Sequence, residues 1–138
     1  MRKLTLVALV LFGAGAVLAG CGKSDRDAAA DTVTSYLEAF GAGDGGAACD
    51  RLTEETKRSI ARRAAEKLGG RDCPDAVRAL RNRLSASQAD AFEEATATRV
   101  QIRGEVANVR FRAGQARGAA TLHKVGDGWK ISLLPEAR

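Results

Sequence analysis

The spacing of large apolar residues changes once along this chain, and that single change limits what it can fold into. Up to Phe92 they recur every three or four positions: Val33, Tyr36, Leu37 and Phe40, then Leu52, Thr56, Ile60, Ala64 and Leu68, then Val77, Leu80 and Leu84. From Val100 onward they recur at every second position: Val100 and Ile102, then Ala107, Val109 and Phe111, then Leu122, and finally Trp129, Ile131 and Leu133. The first spacing is the stripe of an amphipathic helix and the second is one face of a strand. The chain is therefore expected to be α+β, with N-terminal helices packed on a C-terminal four-stranded antiparallel meander that has one apolar face.

Punctuation residues divide the two halves. Asp25 or Asp27 is placed to cap the first helix and Gly41 to stop it, with the glycine-rich run 41–46 as a turn. Asp44 suits the cap of a short helix carrying Cys49 and Leu52, and Thr53 the cap of a third, with Glu54 and Glu55 where the helix dipole favours negative charge. Gly69-Gly70 ends that helix, and Pro74 fits the first turn of a fourth. Ser85 begins a polar connector. Turns are expected at Gly104-Glu105, at Gly114 and at Gly126-Asp127-Gly128, a third strand over residues 116–125, and the end of the sheet at Pro135.

The first twenty residues read as a targeting segment. Arg2 and Lys3 precede an apolar run from Leu4 to Leu18 interrupted only by Thr5, and no acid occurs before Cys21. That run is shorter than the ~20 apolar residues a spanning helix needs, and glycines at 13 and 15 weaken it further. The segment Leu18-Ala19-Gly20-Cys21 resembles the lipobox of bacterial lipoproteins. The resemblance implies diacylglycerol on the Cys21 thiol and cleavage just before it, so that residues 1–20 are the signal peptide, 21–27 a lipidated linker and 28–135 one domain. It also implies an exported protein, lipid-anchored to the outer face of the cell membrane. Gly22 at the second mature position permits outer-membrane sorting where such a membrane exists.

Charge and cysteine content fit that address. Residues 21–138 number 118, and the lost segment takes two basic residues and no acid, so the net charge falls from +5 to +3. With few aromatics, a balance that mild gives no reason to expect nucleic acid. With Cys21 committed to lipid, Cys49 and Cys73 form an even pair in an oxidising compartment and are expected to be bridged. Their spacing is not that of a Cys-x-x-Cys exchange motif.

The order of Tyr36-Leu37-Glu38-Ala39-Phe40 before Gly43-Asp44, the Cys49 to Leu52 segment, the Gly104-Glu105-Val106-Ala107 hairpin and the terminal Gly126-Asp127-Gly128-Trp129-Lys130-Ile131 resembles the nuclear-transport-factor-2-like superfamily, as found in small actinobacterial lipoproteins. That resemblance spans roughly residues 28–134. It implies a cone-like sheet wrapped around a pocket, in a family holding isomerases and dehydratases beside non-enzymatic binding domains. Tyr36, Phe40, Val109, Phe111, Trp129 and Ile131 would be its pocket residues. Enzymes of this kind need an ionisable group among apolar walls, and the inward sheet positions carry none. Lys124 shares their face near a strand end and reads as a solvated rim residue. His123 falls on the opposite face, and a single histidine does not assemble a metal site. Gly41-Ala42-Gly43 follows a helix and so is no phosphate loop. No catalytic residue, metal or cofactor is expected.

Alternation places Arg99, Arg103, Arg110, Arg112 and Arg117 together on the outward face. Guanidinium groups favour bidentate capture of phosphate or carboxylate, so these five are candidates for contact with an anionic surface; the same charges would also keep sheets from pairing edge to edge. Three readings stay open: a non-catalytic binding module for an envelope protein or small apolar ligand, an isomerase- or dehydratase-type enzyme, and a purely structural envelope lipoprotein. Oligomeric state is not legible.

Overall fold

Ser24 starts the helical half: its hydroxyl accepts from the Asp27 backbone N–H and so caps the helix that follows. In the computed structural model, which describes residues 23–137 and side chains through residue 132, five helices precede a four-stranded sheet. Cys21, the targeting segment and the Leu133 side chain lie outside the described residues. The helices are α1 (Asp25–Ala42), α2 (Gly45–Cys49), α3 (Glu54–Leu68), α4 (Cys73–Arg81) and α5 (Ala86–Glu93). The strands are β1 (Thr96–Arg103), β2 (Val106–Ala113), β3 (Ala116–Val125) and β4 (Gly128–Ala137), ordered 1-2-3-4 and antiparallel throughout.

Five boundaries differ from expectation, and the first is that α2 ends at Cys49, leaving Leu52 in the loop before α3 and not on the helix. The α1 cap is Ser24, with Asp25 and Asp27 inside the first turn. Gly41 does not stop α1: it is buried in the last turn, where an added Cβ would meet the Ala89 carbonyl oxygen at 2.6 Å, so it lets α1 and α5 approach. The stop is Gly43, whose φ of 78° is the left-handed conformation that a helix end recruits from glycine. The polar stretch after Ser85 is helix α5 and not a connector, because Ser85 and Gln88 close a reciprocal capping box. Finally, β4 runs through Pro135 to Ala137; it is an edge strand, where a residue without an N–H is tolerated.

The core is the meeting of α1 with the apolar sheet face. Ala29, Val33, Tyr36 and Leu37 of α1 are buried against Ala107, Val109, Phe111, Leu122, Trp129 and Ile131, while Val100 and Ile102 are half-buried at the β1 edge. On α3 the stripe Thr56, Ile60 and Ala64 is buried, and on α4 Val77, whereas Leu80 stays 39% exposed.

The outer edge of β4 is covered in the middle by the loop between α2 and α3. The Ile131 N–H donates to the Arg51 carbonyl (2.8 Å) and the Thr53 N–H donates to the Ile131 carbonyl (3.0 Å), making Leu52 a one-residue parallel partner. Further along, the Thr56 hydroxyl donates to the Ser132 carbonyl (2.8 Å). That proton assignment makes the Thr53 hydroxyl the donor in the 2.8 Å contact between the two threonines. These bonds satisfy edge groups that would otherwise template pairing with another chain.

A Cys49–Cys73 disulfide joins α2 to the start of α4, as the even cysteine pair predicts. Gly45 sits against the Pro74 backbone so closely that a Cβ would lie 2.8 Å from the Pro74 Cα. Cross-linking residues 24 apart stabilises a fold by about 3–4 kcal/mol in the chain-entropy model. The double change Cys49→Ala/Cys73→Ala is therefore expected to lower the unfolding free energy by about that amount, read as a lower urea midpoint. A midpoint indifferent both to the change and to reductant would contradict the bridge's role.

Candidate functional site

The two faces of the sheet have opposite chemistries, and each can be followed residue by residue. Of the residues expected to line a pocket, Tyr36, Val109, Phe111, Trp129 and Ile131 are buried in one hydrophobic cluster, and the half-buried Phe40 packs on it. Tyr36 and Phe40 stack at 6.2 Å, and Phe40 meets Phe92 edge-on at 5.3 Å. Burial pushes the Tyr36 hydroxyl well above its ordinary pKa, so it is a neutral group at physiological pH and ill suited to act as a base. The Trp129 indole N–H is buried and has no hydrogen-bond partner among the described residues.

Lys124 is not a free rim residue. It is half-buried, its ammonium bonds both oxygens of Asp25 (3.0 and 3.1 Å), and it lies 5.7 Å from the centre of the Trp129 ring. That bond holds the Asp25 carboxyl below the usual carboxylate range, and the nearby Trp129 N–H adds to the effect without reaching hydrogen-bond geometry. The contact pins the first turn of α1 to the end of the sheet that carries the 104–105 and 126–127 turns, as does the Arg26 guanidinium bonding the Val100 carbonyl (3.3 Å).

A large groove of about 1140 Å³ runs between Glu55, Ser59 and Arg63 on α3 and the far end of β2 and β3. Its wall residues Gly118, Ala119 and Thr121 are the register partners of Ala137, Glu136 and Leu133. Arg110, Arg112 and Arg117 line the same groove, across from Glu55 and Arg63.

The outward face is the distinctive surface. Arg99, Arg103, Arg110, Arg112 and Arg117 are all exposed there, as alternation requires, with His123 exposed and Lys130 half-buried on the same face. The register adds what spacing alone could not supply: Arg99 stands opposite Arg110, and Arg112 opposite Arg117. Arg110 and Arg112 share a face on β2, so four guanidinium-bearing positions step continuously across three strands, each about 5–7 Å from the next at Cβ. Arg103 stands apart toward the 104–105 turn. Among the described residues none of these five arginines is in an ion pair. The acids of this half fall in the turns, at Glu105 and Asp127, and at Glu136, which the register sets opposite Ala119.

Opposed like charges destabilise a sheet by roughly 0.2–1 kcal/mol per pair. Among the described residues no group of histidine, cysteine and acidic side chains could hold a metal ion, and no helix is long and apolar enough to cross a membrane. Compared with protein-family models, curated proteins and solved structures, the chain matches none.

Two outcomes are expected. Because Arg112 faces Arg117, Arg112→Thr is expected to stabilise the fold by about 0.5 kcal/mol, seen as a rise of about 2–4 °C in melting midpoint; a lower midpoint would mean the pair is compensated. For Tyr36, the folded-state pKa is raised, so its contribution is complete below the ordinary value of about 10 and is lost as pH climbs beyond it. Urea midpoints should fall above about pH 10 in the native chain and fall less in Tyr36→Phe; parallel curves would remove Tyr36 as the cause.

Proposed function

We propose that this chain is an exported, lipid-anchored and non-catalytic binding domain, held by Cys21 on the outer face of the cell membrane, that engages an anionic envelope partner through its arginine face. The single observation behind the binding role is the unbroken arginine path Arg99, Arg110, Arg112, Arg117 across three strands, kept in the fold although its members oppose one another. The anchor rests on the basic start, the short apolar run and the Leu18-Ala19-Gly20-Cys21 segment. The Cys49–Cys73 bridge agrees with an oxidising compartment.

The same reading includes a nuclear-transport-factor-2-like fold, supported by the order of helices before a four-stranded antiparallel meander whose apolar face takes a long helix. It favours binding over catalysis because the groups facing inward from the sheet are apolar and the buried Tyr36 has its pKa moved away from neutrality.

Intact-mass analysis of the protein extracted from membranes tests the anchor. The expected species begins at Cys21, carries acyl chains and retains a closed Cys49–Cys73 bridge, and Cys21→Ser shifts the protein from the membrane to the soluble extracytoplasmic fraction. A chain starting at Met1 with three free thiols in the cytosol would overturn the proposal.

A further inference from the structure

We infer that the arginine face is a seat for a linear phosphodiester polymer of the cell envelope, and not for the bilayer that anchors the chain or for an acidic protein. The preference for polymer over bilayer rests on the anchor proposed above; the binding surface itself does not.

Three observations select this partner. The first is charge arrangement. Arg99, Arg110, Arg112 and Arg117 form a path instead of a cup, each step being a cross-strand partner or an alternate residue of one strand. A path of forked donors suits a chain of repeated anions, each taken bidentately by a guanidinium, better than one small anion.

The second is the lack of apolar anchors on the face. Between and beside the arginines stand Gln101, Asn108, Ala119 and Thr121, with one acid, Glu136, set by the register opposite Ala119. Protein–protein interfaces draw most of their affinity from desolvated aromatic and aliphatic anchors near their centre; among the described residues this face has none there, its one large aliphatic side chain being the half-buried Val106 at the end by the 104–105 turn.

The third is the reach of the tether. Three peptide steps separate Cys21 from the α1 cap at Ser24, a span of about 10 Å at full extension. Helix α1 lies on the apolar side of the sheet, with its first turn fastened by Asp25 to Lys124 and by Arg26 to Val100. Packed helices and sheets are about 10 Å apart, and the arginines extend beyond the sheet on its far side. Laying that face on the bilayer would need a longer tether. The end nearest the membrane is instead the one carrying the 104–105 and 126–127 turns, where the acids Asp25, Asp27, Glu105 and Asp127 are matched by Lys23, Arg26, Arg103 and Lys124 and leave no net charge to hold an anionic bilayer. The arginine face then stands upright and looks sideways into the envelope.

Because every one of these arginines is exposed, each contact is weak and screened by salt, and affinity comes from several made at once. The experiment titrates labelled poly(glycerol phosphate) into the lipoprotein held in phosphatidylcholine discs and into the mature chain carrying Cys21→Ser. Saturable binding is expected in both, at least tenfold weaker between about 50 and 200 mM salt. Arg110→Ser/Arg112→Ser is expected to weaken it at least tenfold and to flatten the salt dependence, while Arg58→Ser/Arg62→Ser on α3 leaves it unchanged. Melting curves confirm that each variant folds; Arg99→Ser/Arg117→Ser is the second variant, with the same expected loss. Absence of binding, or equal binding by all variants, would overturn the inference. So would tighter arginine-dependent binding to poly-glutamate, which assigns the face to acidic protein, or to phosphatidylglycerol vesicles, which assigns it to the bilayer. An unacylated Cys21 with arginine-dependent polymer binding intact would sink the anchor alone.

Discussion

Everything in this molecule depends on the period-two alternation of its last four segments. On β2 the sequence Val106-Ala107-Asn108-Val109-Arg110-Phe111-Arg112-Ala113 places Ala107, Val109, Phe111 and Ala113 in the core and leaves Asn108, Arg110 and Arg112 exposed. A slip of one residue in pairing would turn two arginines of this strand inward, unpaired, among Val33, Leu37 and Ile131. The apolar face and the arginine face are thus one constraint seen from two sides. Whatever holds the core in register also holds the arginines in their path.

The helical half supplies that hold. Helix α1 covers the apolar face, the Arg51 to Thr53 segment pairs with Ile131, and the Thr56 hydroxyl takes up the Ser132 carbonyl. The disulfide and the Gly45–Pro74 contact tie α2 to α4, so the segment that covers the β4 edge is itself anchored on its far side. The other edge, β1, receives the Arg26 guanidinium at its Val100 carbonyl; it has an irregularity between Ala97 and Arg99 and carries Arg99 and Arg103, which discourage pairing with a second sheet.

Much of this was legible from residue spacing. Strand faces, the caps at Asp44 and Thr53 and Pro74 in the first turn of α4 follow from local rules, because each depends on neighbours within a few positions; the pairing of Cys49 with Cys73, 24 residues apart, follows instead from the cysteine count once Cys21 is set aside. Helix α5 escaped because eight residues contribute one buried side chain, Ala89, too little for a periodic signal; the Ser85–Gln88 capping box was the cue that could have revealed it. Gly41 and Gly43 could not be told apart as the stop of α1, since only packing against α5 shows which glycine is there for closeness and which for a left-handed turn. For the arginine face, alternation revealed which residues share a side. Who stands opposite whom, and hence the continuous path and its electrostatic cost, is a property of register. The Lys124–Asp25 tie, 99 residues apart in sequence, is equally out of reach of local reasoning.

The claim that the sheet carries a binding surface built of arginines is tested most directly by following the arginine side-chain Nε–H signals in a nuclear magnetic resonance titration with a phosphodiester polymer. The account predicts that the signals of Arg99, Arg110, Arg112 and Arg117 move together and saturate together while those of Arg58, Arg62 and Arg83 stay in place. Signals that shift first on the helices, or equally over all arginines, would contradict it.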